Sequence, residues 1–194
     1  MKDKRISTHI LKVCITGMMA AAVFIATFIN IQIPLPAGET MLHLGNVMCI
    51  LSAYILGPIY GGLSAGIGSF LYDLTNPLYI DHCIFTLVFK FFMAFICGLI
   101  ANSKKRKAYD LKFNALAGIS GMVTYLILHL SETFIHKLLL GVSVEAVAIL
   151  VAQKFVVSGI NAIIALIIAV PLGTYMKKLL SKQKFWVDYY EQKK

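Results

Sequence analysis

The chain has 194 residues, of which 59% are hydrophobic and only 14% are charged, and its mean hydropathy is +0.80. Soluble domains are nearer half apolar and a quarter charged, so this composition excludes a soluble globular protein. The net charge of +9 does not predict a nucleic-acid partner, because the basic residues flank apolar stretches instead of forming a patch on a soluble fold. We expect one all-α domain over residues 1–194 that crosses a lipid bilayer several times.

Helix 1 is predicted over about residues 13–33, where an apolar stretch of membrane-spanning length meets a Pro-Leu-Pro sequence at 34–36. Two prolines so close together cannot continue a helix. The stretch is too long for a signal peptide and lacks a small-residue cleavage site, so we expect a retained helix and then a loop over 37–42. Gly17 and Ala21 lie four residues apart, a spacing at which small side chains let another helix approach closely in lipid.

Five further helices are predicted after this loop. The Gly57-Pro58 pair separates two short ones, and residues 131–145 have room for one short helix between the last two long ones. Gly62 and Gly66 in helix 3 are expected to serve packing within the protein. Helices 2 to 6 are predicted over about residues 47–56, 61–74, 83–101, 113–130 and 146–176.

The positive charges predict the orientation of these helices. All but three of the 18 lysines and arginines fall in three clusters, which are the N-terminus up to Lys12, residues 104–112, and the tail from Lys177. Positively charged loops stay in the cytoplasm, so an even number of spans must separate the clusters. Four helices between the first two clusters and two between the last two satisfy this condition. We therefore predict six transmembrane helices in the cell membrane, with both termini cytoplasmic.

Three basic residues, Lys90, Lys137 and Lys154, lie outside the clusters. An ionisable side chain inside a membrane usually faces a cavity or a partner. On the predicted topology Lys90 and Lys154 converge in the outer half of the bundle with His129 and Gln153. We predict a binding site there, between helices 4 to 6 and beneath the loop over 34–46. Its aromatic walls are expected from Tyr79, Phe89 and Tyr125.

Simpler roles for these residues stay open. A lysine near a helix end often extends its charge to the membrane interface, and Asp73 at the end of helix 3 can form a structural ion pair with Lys90. No two histidines in the apolar part of the chain lie four residues apart, so no metal site is predicted. The four cysteines fit no zinc or redox spacing and are expected to be packing residues.

No catalytic residue is predicted. The chain has no Gly-x-x-x-x-Gly-Lys-Ser/Thr sequence, so we expect no ATP site. Gly66-Ile67-Gly68-Ser69 with His129 faintly resembles the Ser/His dyad of an intramembrane serine hydrolase, but Phe70 stands where that motif has glycine. A stand-alone small transporter or channel, with Lys90 and Asp73 as a relay, is a second alternative.

Seven short motifs follow one another within residues 10–101: Thr16-Gly17-Met18-Met19-Ala20-Ala21, Ile33-Pro34-Leu35-Pro36, His43-Leu44-Gly45-Asn46, Leu56-Gly57-Pro58-Ile59-Tyr60-Gly61-Gly62, Gly66-Ile67-Gly68-Ser69, Tyr72-Asp73-Leu74 and Phe89-Lys90. Their order and spacing resemble the S components of energy-coupling factor (ECF) vitamin transporters, which are substrate-binding membrane subunits. The likeness is greatest to the riboflavin, pyridoxine or hydroxymethylpyrimidine branch.

The resemblance implies that the chain binds a B-type vitamin or precursor near the outer face, in a pocket covered by the loop with His43 and Asn46. It implies docking on a transmembrane coupling protein through Gly17 and Ala21. Two ATPase subunits would use the ATP, so this chain needs no cofactor of its own. The subunit would then topple in the membrane to release its substrate inward. Asn46 stands where the family often has Asp after His-Leu-Gly, which removes a charge near the pocket.

Overall fold

The computed structural model describes residues 2–35, 38–103 and 109–182, which fold into five α-helices and one β-hairpin. Each of the five helices contains a stretch long and apolar enough to cross a bilayer, as the composition predicts. The predicted basic run at 104–107 and the tail beyond residue 182 lie outside the described residues. The elements are α1 (Lys2–Phe28), β1 (Asn30–Leu35), β2 (Gly38–His43), α2 (Gly45–Thr75), a 3-10 turn (Ile80–His82), α3 (Cys83–Ala101), α4 (Leu111–Leu139) and α5 (Val144–Leu180).

Helix α2 is folded back on itself at Gly57. This glycine has φ 77° and ψ −168°, which interrupts the helix just before Pro58. The Ser52 hydroxyl donates to the Gly61 carbonyl over 3.1 Å, and Cys49 Sγ lies 3.9 Å from Ser69 Oγ. Twenty residues of straight helix would hold that last pair about 30 Å apart. The two arms of α2 are therefore antiparallel and correspond to predicted helices 2 and 3, and the predicted break is confirmed.

Glycines let the second arm of α2 approach its neighbours. A Cβ atom on Gly66 would lie 2.8 Å from the Leu87 carbonyl of α3, and one on Gly62 would meet the Phe91 ring at 2.9 Å. On another face, a Cβ atom on Gly68 would collide with the Ala20 carbonyl of α1. Backbone contact this close is possible only without side chains. The predicted packing role of Gly62 and Gly66 is confirmed.

The predicted end of helix 1 is wrong. Helix α1 ends at Phe28, where the Asn30 side chain donates to the Thr27 and Phe28 carbonyls at 2.9 and 3.2 Å. These bonds satisfy carbonyls that a continuing helix would have used. In place of the predicted loop, β1 and β2 pair as an antiparallel hairpin. Pro34 is tolerated within β1 because both strands of a two-stranded sheet are edges.

Residues 131–145, in which the sequence has room for one short helix, form no separate helix in this described part of the chain. Residues up to Leu139 continue α4 without a break. The chain then reverses at Gly141, which has φ 79°, a conformation that favours glycine. The Ser143 hydroxyl accepts a hydrogen bond from the Ala146 N–H and so caps α5.

Buried polar contacts close the end of the bundle opposite the hairpin. The Tyr54 hydroxyl donates to the Asn114 carbonyl over 2.6 Å. The Lys177 ammonium, only 5% exposed, donates to the Ala101 carbonyl and to Asn114 Oδ1 at 3.1 and 3.3 Å. These bonds join α2, α3, α4 and α5 at this end of the described bundle.

Candidate functional site

A cavity of about 260 Å³ lies at the hairpin end of the bundle. Its volume is close to the lower limit for small-molecule sites, which hold a ring system with a few polar groups. Residues from every helix and from β2 line it. Six of the eight predicted binding residues are among them: His43, Tyr79, Lys90, Tyr125, His129 and Lys154.

Lys90 of α3 is the central charged group of the cavity. Its side chain is only 3% exposed, and its ammonium donates to the Asn46 side-chain carbonyl. The same nitrogen lies 3.7 Å from the centre of the Tyr125 ring, a cation–π contact. Tyr125 in turn stacks on His129, with ring centres 5.4 Å apart and planes within 5°. A lysine has three N–H donors, so this geometry fixes the charge while leaving capacity for a ligand.

The predicted ion pair between Asp73 and Lys90 is not formed. Both side chains are buried and both line the cavity. Among the described residues, the ion pairs within 4.0 Å involve Glu132 and two histidines, not these two. Lys90 takes its contacts from Asn46 and Tyr125 instead. Asp73 is therefore a polar group of the cavity wall that does not directly contact the Lys90 ammonium.

His43 places a neutral imidazole at the cavity. It ends β2 and is 9% exposed, and its backbone N–H donates to Asn161 Oδ1 of α5 over 3.4 Å. Burial lowers the pKa of His43 well below its usual value, and the nearby Lys90 and His129 lower it further. Its buried Nδ1 has no hydrogen-bond partner among the described residues. A neutral ring nitrogen in this position can donate to a ligand or accept from one.

The other predicted residues differ in how they relate to the cavity. The Tyr79 hydroxyl donates to Gln32 Oε1 over 2.9 Å, which ties the segment after α2 to the hairpin. Lys154 donates to Thr133 Oγ1 over 3.3 Å. Asn46 lies behind the lining and acts on it through Lys90. Gln153 is half-buried and does not line the cavity, so it is not brought together with the rest.

Sequence reasoning missed the small polar part of the wall. Hydroxyl and amide side chains are contributed by α1, β2, α2, α3 and α5, and a glutamate and a histidine stand near its rim. Serines, threonines and asparagines occur throughout membrane helices as packing residues, so only the fold distinguishes these. The missed lining residues with polar groups are Thr27, Thr40, Ser69, His82, Thr86, Glu132, Lys137, Ser158 and Asn161.

The cavity combines flat aromatic walls with a few placed polar groups. Phe85, Phe89, Tyr79 and Tyr125 line it beside the lysines and histidines. Such walls suit a planar heteroaromatic ring, whose nitrogens and oxygens need donors at fixed positions. Ser69 lies against the Cys49 thiol. The arrangement is that of a binding site.

Comparison with known proteins agrees with this geometry. Residues 7–178 match the family described as ECF-type riboflavin transporter, S component. An uncharacterized protein from the gap 3′ region of Pyrococcus woesei is 33% identical over 104 residues, which are 54% of this chain and 68% of that protein.

Among solved structures, the S-component for biotin from an ECF-type ABC transporter is similar in fold, with a TM-score of 0.51 and 17% identity over 89% of this chain and 93% of that one. The predicted resemblance to ECF S components is thus confirmed over most of the sequence, and with it the prediction of a transporter component instead of an enzyme. The chain belongs to the family of ECF-type riboflavin transporter S components, the substrate-binding membrane subunits of ECF transporters.

Proposed function

We propose that the chain binds a water-soluble B-type vitamin in the cavity at the hairpin end, with riboflavin as the first candidate. The observation that carries this proposal is the buried Lys90 ammonium, held against Tyr125 by Asn46 and aimed along the cavity wall. Burying a charge inside a membrane protein is costly, and such a charge usually faces a cavity or a partner group. Its neighbours are aromatic, which suits a flat ring.

The family description supports riboflavin over the other two candidates. A flavin ring presents carbonyl oxygens and ring nitrogens along one edge, which match the ammonium of Lys90 and the imidazoles of His43 and His129. Its sugar-alcohol chain carries hydroxyls that suit Thr40, Ser158 and Asn161. Pyridoxine and hydroxymethylpyrimidine are single rings with fewer polar groups, so they would leave more of this wall without partners.

Transport requires partners in this proposal, since no nucleotide-binding sequence is present. We propose a transmembrane coupling protein and two ATPases as those partners, in the cell membrane. Gly17 and Ala21 lie on an exposed face of α1, and apart from the adjoining part of the helix itself no described residue comes within 4 Å of a Cβ atom built on Gly17. This small-residue surface suits close approach by a partner helix.

The ligand test uses the full chain purified in detergent without added vitamin. Denaturation should release a small molecule whose absorption spectrum and mass identify it. Riboflavin added to ligand-free protein should lose its fluorescence on binding next to aromatic rings. Pyridoxine and hydroxymethylpyrimidine serve as competitors. Stronger competition by either one than by riboflavin itself would reassign the vitamin, and binding of none of the three would overturn the proposal.

The partner test separates an S component from a stand-alone transporter or channel. Uptake of the vitamin into vesicles should require the coupling protein and the ATPases, together with ATP. Uptake by the chain alone, driven by an ion gradient, would favour the stand-alone alternative.

A further inference from the structure

Three side chains at the rim of the cavity point their coordinating atoms at one another. His82 lies in the 3-10 turn between α2 and α3, and Glu132 and His136 lie one turn apart on α4. His82 Nδ1 is 3.2 Å from Glu132 Oε1, and His136 Nδ1 is 3.9 Å from the same oxygen. One ligand atom from each of the three residues lies within 4.8 Å of the other two. The two imidazole rings meet edge to face, with centres 5.2 Å apart.

Hydrogen bonding within the protein leaves this cluster incomplete. Among the described residues, the buried atoms Glu132 Oε1 and His136 Nδ1 have no well-formed hydrogen bond, although Glu132 Oε1 lies at ion-pair distance from His82 Nδ1. Buried lone pairs without a partner are costly, and two imidazoles cannot both be satisfied by one carboxylate oxygen at these distances. A cation between the three atoms would satisfy all of them at once.

The spacing fits a small divalent cation. Ligand atoms about 2.0–2.2 Å from a tetrahedral metal lie roughly 3.3–3.6 Å from one another. The two distances to Glu132 Oε1, 3.2 and 3.9 Å, are close to this range, and a small rotation of a half-buried imidazole would bring the two histidine nitrogens to a similar separation. Ligands four residues apart on a helix, such as Glu132 and His136, are common in metal sites. The prediction of no metal site depended on the absence of histidines four residues apart in the sequence. That spacing does not account for residues that the fold brings together, such as His82 and Glu132.

We propose that His82, Glu132 and His136 bind a divalent transition-metal cation of the Zn²⁺ class. Imidazole nitrogens suit Zn²⁺, Ni²⁺ and Co²⁺, and two histidines with one carboxylate leave a fourth position open. Because His82 and Glu132 also line the cavity, the proposed metal site adjoins the proposed vitamin site. The ion would fasten the turn before α3 to α4 at the rim. The inference goes beyond the proposed function and does not depend on the identity of the vitamin.

Positive charges nearby limit the affinity of this site. Lys137 and Lys154 line the same cavity and oppose a second cation, whereas Glu132 and Asp73 favour one. We therefore expect weaker binding than in a structural zinc site with several thiolates.

The test uses the full chain carrying an affinity tag without histidines, because a polyhistidine tag would bind the same ions. Co²⁺ is titrated into the purified, metal-free protein, and the visible absorption of the bound ion is recorded. We expect one Co²⁺ per chain, displaced by Zn²⁺. His136→Gln should weaken binding at least about tenfold, because it removes one of three ligands. His82→Gln should do the same.

Glu145→Gln is the matched control, since it removes an exposed carboxylate in the first turn of α5, outside the cluster, and should leave Co²⁺ binding unchanged. A cooperative thermal transition close to that of the wild type reports that His136→Gln is folded, whichever vitamin the cavity binds. The proposal is overturned if the wild-type protein shows no saturable Co²⁺ binding. It is equally overturned if folded His136→Gln binds Co²⁺ as tightly as Glu145→Gln does.

Discussion

At the scale of single residues, Lys90 is the group whose role is most open to test. Lys90→Met keeps most of the apolar stem and removes the charge. Losing one hydrogen bond from a charged donor should cost roughly 1.5–3 kcal/mol, or about ten- to a hundredfold in riboflavin affinity. Fluorescence titration of the purified protein measures the change. Lys112→Met, which removes an exposed lysine near the start of α4, is the matched control and should bind normally.

A structural role for Lys90 gives a different result. If the ammonium serves only to hold Asn46, Lys90→Met should lower the melting temperature while the folded fraction keeps wild-type affinity. The double variant Lys90→Met with Asp73→Asn is not expected to recover binding, because these two side chains are not paired. Recovery of binding by that double variant would support the ion pair between Asp73 and Lys90 that the sequence predicts.

His43 should make stability depend on pH. Its pKa lies well below about 6.5 in the folded protein, chiefly because it is buried, but not in the unfolded chain. Below pH 6.5 the unfolded chain binds a proton that the folded one lacks, so the free energy of unfolding decreases as the pH falls. The slope is at most about 1.4 kcal/mol per pH unit. The melting temperature of His43→Gln between pH 7.5 and 5 should fall less than that of the wild type. Equal decreases in both proteins would contradict the prediction.

The sequence identifies those residues of the site that are unusual in a membrane. Lys90, His129 and Lys154 stand out because charged or titratable groups in apolar stretches are rare. Thr40, Ser158 and Asn161 do not stand out, since only the folded structure distinguishes polar side chains that line the cavity from those that pack between helices. The meeting of His82 with Glu132 likewise depends on how the turn before α3 packs on α4.

At the scale of elements, one face of α1 packs against the bundle and another is exposed. Ala20 and Val23 are buried against the second arm of α2, whereas Gly17 and Ala21 are exposed. Gly17→Leu or Ala21→Leu should abolish ATP-driven vitamin uptake and leave riboflavin binding by the isolated chain intact, because a large side chain keeps a partner helix away. Ala152→Leu, on an exposed face of α5, is the matched control and should transport normally. Normal uptake in both α1 variants would place the docking surface elsewhere.

The same small change should have different effects inside the contact between α1 and α2 and on the exposed face of α1. Gly68→Ala puts a Cβ atom into the Ala20 carbonyl and 2.7 Å from Val23 Cβ, so the helices must separate. Overpacking of this kind typically costs about 1–3 kcal/mol. Gly17→Ala adds the same atom on the exposed face of α1, where no described residue outside the adjoining helix lies within 4 Å, and should not destabilise the protein. Melting temperatures in detergent compare the pair, and a Gly68→Ala protein as stable as Gly17→Ala would contradict this packing.

The sequence predicts helices better than it predicts how they end. The apolar stretch from Val13 onward continues through Ile33, and only the capping of α1 by Asn30 shows that the helix stops at Phe28. The residues after it alternate between the two sides of a hairpin, a short period that the surrounding hydrophobicity hides. The break at Gly57-Pro58 is visible because both residues oppose a continuous helix.

At the scale of the whole molecule, the bundle has one open and one closed end. The hairpin, the turn before α3 and the turn at Gly141 gather at the cavity end. Lys177, Tyr54 and Asn114 close the other. A binding subunit with this asymmetry holds its ligand without offering a continuous passage. Movement of the ligand to the other side then requires a change in the whole subunit or its partners.

The orientation of the bundle is the remaining prediction of the sequence, and it can be tested with two cysteines. The basic clusters predict that residues 104–112 face the cytoplasm and that the turn after α4 faces outward. Cys14 is the exposed native cysteine of the described residues, so Cys14→Ser provides the background. In intact cells, a membrane-impermeant thiol reagent should label Leu140→Cys, which is 63% exposed, but not Lys105→Cys. Lys105→Cys should react only once the membrane is opened. Labelling of Lys105→Cys in intact cells would reverse the orientation and place the vitamin cavity on the cytoplasmic side.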